Sequence, residues 1–521
     1  MTDREKYMAK IFAILLLVIG VSFAYFIAEI HDEKQVDVNL ISDKLDNLTY
    51  TVDKDISLTI NQFNLASVEG NVTDSSVATI AFKANKTKNQ AEAYYNLYFY
   101  IESNPYIYTT EDKKPEILLN IYNSSNEEIT NIDSLDYVSA TNANGVTLNG
   151  FDITERAGLF KVTLNNKITS NSSVIATNQT WKVTLTFINL ENNQIANEDK
   201  TLKAKMILND KTYKTKISEV CQSGDNLANC IISLHDSSET IATNIYHHDG
   251  TLENGINDGS YRYAGASDVV HNFVCFGSDA EECPTDNLYR IIGVFDGKIK
   301  LIKSDYATSA LLGTDGDYST DTFAKSKNST YKGELTTINA YYWNYKALNL
   351  PLKTWNNSLL NKTNLNTNFL NKIGNTWTSK IAITTWKVDG GTTTNIRNLV
   401  PSIAYQYEVG ANASATTYDA KIGLIYASDY VFAAAPSAWT THLNCYGNLS
   451  ITSVNWMYMG FTEWTITISP EEKDYVFFIG YVGDINTNLS YAFVVRPCFY
   501  LENNITYISG SGTSQNPIRL S

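Results

Sequence analysis

Apolar side chains recur at every second position in short runs along this chain, and turn dipeptides separate the runs. Trp181, Val183, Leu185 and Phe187 alternate with Lys182, Thr184 and Thr186. Tyr95, Leu97, Phe99 and Ile101 alternate with Asn96, Tyr98 and Glu102, and Ala78, Ile80 and Phe82 form a third run. A period of two lines one face of a pleated strand, so each run predicts a half-buried strand. Asn144-Gly145 and Asn149-Gly150 supply turn signals. No long apolar stripe of helical period lies between 35 and 215. Many short strands with turns between them point to β-sandwich modules. One sandwich takes about 100 residues, so the stretch divides into two predicted modules, 35–112 and 113–215.

The length of 521 residues suggests roughly three to four domains. The net charge is −15, with only 18% charged and 12% aromatic residues. Disordered chains show the reverse balance. The chain has no basic footprint, which excludes a nucleic-acid partner. Its acidity suits the solubility of an exposed ectodomain.

Ile11 to Ala28 carries no charge. As a helix this run rises about 27 Å, near the thickness of a hydrocarbon core. Arg4, Lys6 and Lys10 precede it, and Glu29, Asp32 and Glu33 follow it. The positive-inside rule therefore makes 1–34 a cytoplasmic head and transmembrane signal anchor, with the bulk outside the cell membrane. Ser22-Phe23-Ala24 offers a competing signal-peptide cleavage site, but apolar residues continue past Ala24. The cysteines agree with export. Pairing by neighbourhood gives the disulfides Cys221–Cys230, Cys275–Cys283 and Cys445–Cys498. Their spacing does not fit a zinc finger, and no cofactor or metal is predicted.

Residues 216–262 hold three turn dipeptides, Asp249-Gly250, Asn254-Gly255 and Asp258-Gly259, and read as a structured linker or as the entry to the last domain. The remainder, 263–521, reads as an α+β domain. Ile292 and Val294, Asp296-Gly297, then Ile299 and Leu301 form a hairpin with Val294 facing Ile299 and Ile292 facing Leu301. Trp355, Leu359, Leu360, Phe369, Leu370 and Ile373 suggest one or two helices interrupted around Asn361 to Asn366. Ile422, Leu424 and Tyr426 suggest a strand ending at a helix cap, Ser428-Asp429. Tyr491 to Tyr500 suggests a long strand, and Ile518 to Leu520 a short last one.

Several segments resemble an uncharacterised module of surface proteins from low-GC Gram-positive gut bacteria. They are Tyr261 to Ala266, the Cys275–Cys283 loop running into Asn287 to Val294, Trp386-Lys387-Val388, Ser428-Asp429-Tyr430, Glu463-Trp464-Thr465, Arg496-Pro497 and the terminal Gly510-Ser511-Gly512-Thr513 with Asn516-Pro517. The last three also resemble, more distantly, the C-type-lectin-like fold of formylglycine-generating enzymes. Phe23-Ala24-Tyr25-Phe26 and the strand around Tyr94 to Tyr100 resemble the Ig-like sandwiches of camelysin and matrix-fibre proteins. Together these resemblances imply a mainly β protein with some α: a transmembrane helix, an Ig-like β-sandwich region and a C-type-lectin-like domain. Fold alone does not give function.

The candidate ligand-binding residues are Trp439, Trp456, Tyr458 and Trp464, because aromatic planes in a loop-rich region suit sugar rings or peptide side chains. A core role competes with this, since large aromatics are mostly buried. Trp439, between Ala438 and Thr440, is the best exposed candidate. Glu463 and Arg496 are expected to form a buried pair. Calcium-dependent lectins carry Glu-Pro-Asn or Gln-Pro-Asp and Trp-Asn-Asp motifs, none of which occurs here. Asp315, Asp317 and Asp321, with Gly316 misplaced, do not make an EF-hand. The adjacent His247 and His248 make a poor chelate.

The expected role is therefore non-enzymatic adhesion or binding of a glycan or protein ligand through the C-terminal domain. A structural matrix or fibre subunit is the first alternative. The second is an exported enzyme on a formylglycine-generating-enzyme-like fold, which free thiols at Cys445 and Cys498 would favour.

Overall fold

The computed structural model describes residues 48–61, 71–85, 91–190, 194–209, 212–238, 240–314, 324–325, 329–344, 355–388, 395–469, 475–488 and 492–521. The proposed anchor at 11–28 and the Asp315, Asp317 and Asp321 loop lie outside these. Among the described residues no helix is long and apolar enough to cross a membrane. The protein is mainly β.

Among the described residues ten strands build the N-terminal half: β1 (Leu48–Val52), β2 (Ile56–Ile60), β3 (Val72–Phe82), β4 (Glu92–Ser103), β5 (Ile117–Tyr122), β6 (Tyr137–Thr141), β7 (Thr147–Asp152), β8 (Gly158–Thr169), β9 (Thr177–Phe187) and β10 (Lys200–Asn209). They form one sheet of order β1-β3-β9-β5-β7-β6 and another of order β2-β10-β4-β8. Strands from both sides of 112 share both sheets and one core, which includes Ile80, Phe99, Leu119 and Val183. The two predicted modules are thus a single sandwich. Its pairs are non-local: β3 runs antiparallel to β9 from Val72↔Phe187 to Phe82↔Thr177. The size rule misled because long antiparallel strands and their loops extend one sandwich beyond the usual length.

Period two holds where one face meets water. β1 and β2 both alternate buried and exposed. Trp181 points inward from β9, and its indole N–H donates to the Tyr95 hydroxyl of β4 at 2.9 Å, tying the two sheets together. β4 departs from alternation, since Tyr98 on its outer face is also fully buried. The Tyr98 ring meets that of Tyr213 at a tilt, 4.8 Å between centres, and its hydroxyl accepts the Tyr213 N–H at 3.0 Å. The chain leaving the sandwich covers this outer face. Asn144-Gly145 makes the expected turn, with Gly145 at φ 76°. Asn149-Gly150 does not: Gly150 lies inside β7, where a Cβ would sit 3.1 Å from Leu118.

Of the two readings of 216–262, the segment is the entry to the C-terminal half and not a linker. Its helix α1 (Leu227–Asp236) buries Leu227, Ile231 and Leu234 in the core of the C-terminal half. β11 (Ile245–His247) and β12 (Tyr261–Tyr263) join the central sheet there. That sheet runs β11-β12-β14-β15 and then the strand Cys498–Tyr500, with β13 (Phe273–Cys275), β14 (Leu288–Phe295) and β15 (Lys298–Lys303). The β14–β15 hairpin turns at Asp296 and Gly297, both left-handed at φ 49° and 72°. Val294 faces Ile299 as expected, but a bulge puts Ile291 rather than Ile292 opposite Leu301.

Other local expectations shift for identifiable reasons. Leu360–Phe369 is one continuous helical element with wide π-type turns, followed directly by a helical turn at Leu370–Ile373. The asparagines that suggested an interruption are buried and tie the element to its neighbours, Asn361 donating to the Trp355 carbonyl at 3.1 Å and Asn364 to the Leu312 carbonyl at 2.8 Å. Ile422 to Tyr426 forms no strand; only Gly423 bridges to Cys498. The helix Ala427–Phe432 begins there, and Asp429 caps it by accepting the Tyr426 N–H at 2.9 Å. The strand expected from 491 to 500 is broken into Ala492–Phe493 and Cys498–Tyr500. Pro497, which has no N–H to donate, precedes the second piece.

Asp429 also sits at the centre of a buried charge cluster. Lys300 of β15 reaches it at 2.5 Å and Arg262 of β12 at 3.5 Å, and Arg262 also pairs with Asp258 at 2.8 Å.

Two disulfides form, Cys221–Cys230 and Cys275–Cys283, as expected. The third does not: Cys445 is exposed on a short turn, whereas Cys498 is buried in the central sheet. Sequence neighbourhood cannot separate a surface turn from a core strand. Alkylation of the unreduced protein should label Cys445 when native and both Cys445 and Cys498 when unfolded. Finding no free thiol by mass spectrometry would contradict this arrangement.

Candidate functional site

Three of the four predicted ligand-binding aromatics are core residues. Trp439 has no exposed surface, and Trp456 and Trp464 are 3% and 1% exposed. Each indole N–H is already satisfied. Trp439 donates to Ala434 at 3.0 Å, Trp456 to Tyr263 at 2.8 Å and Trp464 to Tyr341 at 2.7 Å, all backbone carbonyls. The small residues beside Trp439 belong to a tight turn, Pro436–Ala438, that rolls the indole inward. There it meets Phe432 at 5.3 Å, Tyr246 at 5.4 Å and His248 at 5.2 Å.

Tyr458 is the exception. It is half-buried, and its hydroxyl donates to the Tyr481 carbonyl at 2.8 Å. Around it the fold assembles aromatics from distant parts of the chain. Phe461 contacts Tyr331 at 4.7 Å and Tyr306 at 5.3 Å between ring centres. Tyr331 and Tyr481 are each 38% exposed, Val482 is 44% exposed, and Leu335 also reaches solvent.

Tyr331 and Leu335 sit on a small hairpin of strands Thr330–Tyr331 and Glu334–Leu335. Its turn, Lys332-Gly333, is left-handed at both residues. The Lys332 N–H donates to the Gly460 carbonyl at 2.8 Å and the Thr462 N–H to Thr330 at 3.2 Å. These bonds hold the hairpin against the 458–462 loop. Gly333 faces Tyr481, with 3.6 Å between the ring and the place of a Cβ. Sequence reasoning missed Tyr306, Tyr331, Phe461 and Tyr481, since no local pattern joins residues so far apart.

The expected Glu463–Arg496 pair lies beneath this surface. Arg496 Nε donates to Glu463 Oε2 at 2.6 Å and Nη2 to Oε1 at 2.5 Å, both side chains buried. Nη2 also donates to the Met457 carbonyl at 2.9 Å, so the pair anchors the loop that presents Tyr458. Burial pushes the Glu463 carboxyl up, against the pull of Arg496.

The remaining candidates do not make a reactive or metal centre. Burial pushes the Cys498 thiol up to about 12, so it is a poor thiolate, and exposed Cys445 is no redox partner for it. The two histidines point apart: His247 stacks on Tyr261 at 4.1 Å, whereas His248 is fully buried. Among the described residues the sole cluster with metal-ligand spacing is Cys221, Asp225 and Cys230, and its sulfurs are joined as a disulfide.

No protein-family model matches the chain, and no curated protein is similar to it in sequence.

Two outcomes follow from the core placement. Trp439→Ala should cost about 3–5 kcal/mol in denaturant unfolding, as for other buried aromatic truncations. His248 has no hydrogen-bond partner on either ring nitrogen among the described residues. Burial, then nearby Arg262, pulls its pKa from 6.5 to about 3, with Asp258 opposing and His247 adding to the fall. The unfolded imidazole takes up a proton that the folded one refuses. The stability from a neutral His248 is therefore full above pH 6.5 and lost as pH falls towards 3. The slope approaches about 1.4 kcal/mol per pH unit. His248→Phe should flatten this slope, measured as midpoint denaturant concentration against pH; an unchanged slope would assign it to other groups.

Proposed function

We propose that this protein is a membrane-anchored bacterial cell-surface protein whose C-terminal half binds a ligand, a glycan or another protein, through the aromatic surface around Tyr458. The observation that carries this reading is the convergence of Tyr331, Tyr458, Phe461 and Tyr481 at one place, with Tyr331 and Tyr481 open to solvent. Tyrosine rings offer large, rigid contact area with a polar tip at low entropic cost. The platform is preorganised, because backbone bonds and the buried Glu463–Arg496 pair fix the loops beneath it.

The placement outside the cell rests on two supports. Ile11 to Ala28 is a charge-free run behind a basic head. The two disulfides belong to an oxidising compartment. In this reading the sandwich is an Ig-like stalk, and the C-terminal half is a C-type-lectin-like domain of the kind found on low-GC Gram-positive surfaces. The formylglycine-generating-enzyme alternative is disfavoured although both thiols are free, because one is exposed and the other sealed in the core.

The test is a glycan and host-protein array probed with the full-length protein and with a Tyr331→Ala/Tyr481→Ala variant. Specific binding that falls at least about tenfold in the variant, the loss of one or two good contacts, is expected. A blank across broad arrays, or binding that ignores both substitutions, would remove this surface from consideration.

A further inference from the structure

A concave region with a lining distinct from the aromatic surface lies where the sandwich meets the C-terminal half. The two halves are joined tightly on one side of it. Gly158, at the start of β8, packs so closely on Val269 that a Cβ would fall 2.5 Å from it. Arg156 pairs with Asp268 across the junction at 3.2 Å. Beside this join opens a cleft of about 650 Å³, lined by both halves. Clefts of this size at domain junctions are the usual setting of small-molecule sites.

The lining has a definite chemistry. Arg156 is already neutralised by Asp268, and its Nη2 donates to the Ser134 carbonyl at 2.8 Å. Lys161 of β8 and Lys216 of the connecting segment have no carboxylate partner among the described residues. Two lysines with no carboxylate partner among the described residues therefore line one space in a chain whose net charge is −15. Asp133 is the one further acid on the wall. His271 donates from Nδ1 to the Thr215 carbonyl at 3.1 Å, which leaves Nε2 as an acceptor for a hydroxyl donor. Ser267 and Thr513 add hydroxyls, and Gln515 an amide. Leu159, Phe160, Ile241, Val269 and Phe273 supply apolar wall, and the Phe273 ring is held by the buried Arg290 guanidinium at 4.1 Å.

We propose that this cleft binds a small acidic sugar: a carboxylate held by Lys161 and Lys216, and ring hydroxyls held by His271 and the Ser, Thr and Gln side chains. Lysine suits this task, because it meets an anion as a flexible point charge. A wall that alternates hydroxyl and apolar side chains suits a sugar ring, with its polar edge and apolar face, better than an acyl chain. The site shares no lining residue with the Tyr458 surface and takes Asp133, Ser134, Arg156, Leu159, Phe160 and Lys161 from the sandwich, so the sandwich is part of the recognition apparatus as well as a spacer.

The experiment is saturation-transfer NMR on the full-length protein with sodium D-glucuronate, sodium N-acetylneuraminate and D-glucose as probes. At least one acidic sugar should bind saturably, and about tenfold more tightly than glucose, the effect of one good charge-assisted contact. Lys161→Gln/Lys216→Gln should abolish that preference while leaving the thermal melt unchanged, both side chains being outside the core. Tyr331→Ala/Tyr481→Ala should leave it intact, which separates this site from the aromatic surface. Absence of saturable binding by both acids, equal binding of glucose, or a preference that survives the double lysine substitution would each overturn the proposal.

Discussion

One buried carboxylate organises the C-terminal half. Asp429 receives the Lys300 ammonium, the Arg262 guanidinium and the Tyr426 N–H, and all three charged side chains are nearly or wholly sealed from water. Lys300 and Arg262 stand on adjacent regions of the central sheet, and Asp429 stands on the helix that packs against it. Charges removed from water are tolerated only when paired and hydrogen-bonded, so this contact fixes how helix and sheet approach one another. Aromatic rings complete the enclosure. Lys300 lies 4.7 Å from the Tyr426 ring centre and 5.2 Å from that of Tyr500, and Arg262 lies 4.6 Å from that of Phe295. Several aromatic side chains are spent on surrounding buried cations.

The same logic recurs under the aromatic surface. Glu463 and Arg496 pair in the core and use one remaining donor to grip the Met457 carbonyl. A rigid base and a solvent-facing rim are what a binding platform needs. Trp456 and Trp464, close in sequence to Tyr458 and Phe461, belong to the base, and Tyr331, Tyr458, Phe461 and Tyr481 to the rim. Tryptophan is the larger apolar surface and gains most from burial, whereas a tyrosine can leave its hydroxyl wet.

How much was legible in the sequence varied with the range of the interaction. The alternating strands around Phe82, Leu97 and Val183, the Asp296-Gly297 hairpin, the Glu463–Arg496 pair and both close-spaced disulfides were all readable from local pattern. The single sandwich was not, because the β3–β9 pairing brings together residues about a hundred positions apart, and no local signal records it. Tyr98 broke alternation because its partner, Tyr213, comes from beyond the sandwich. Cys445 and Cys498 looked like a pair only while their depths were unknown.

By itself the sequence determined the secondary-structure class, the turn chemistry and the apolar N-terminal run, since each depends on the properties of neighbouring residues. Tertiary structure alone decided which aromatics face water, which cysteines meet and where a cleft opens between the halves. Those outcomes depend on which distant surfaces are buried against each other. Burial is a property of the assembled chain, and it turned Trp439 into core and left Tyr331, Tyr481, Lys161 and Lys216 at the surface.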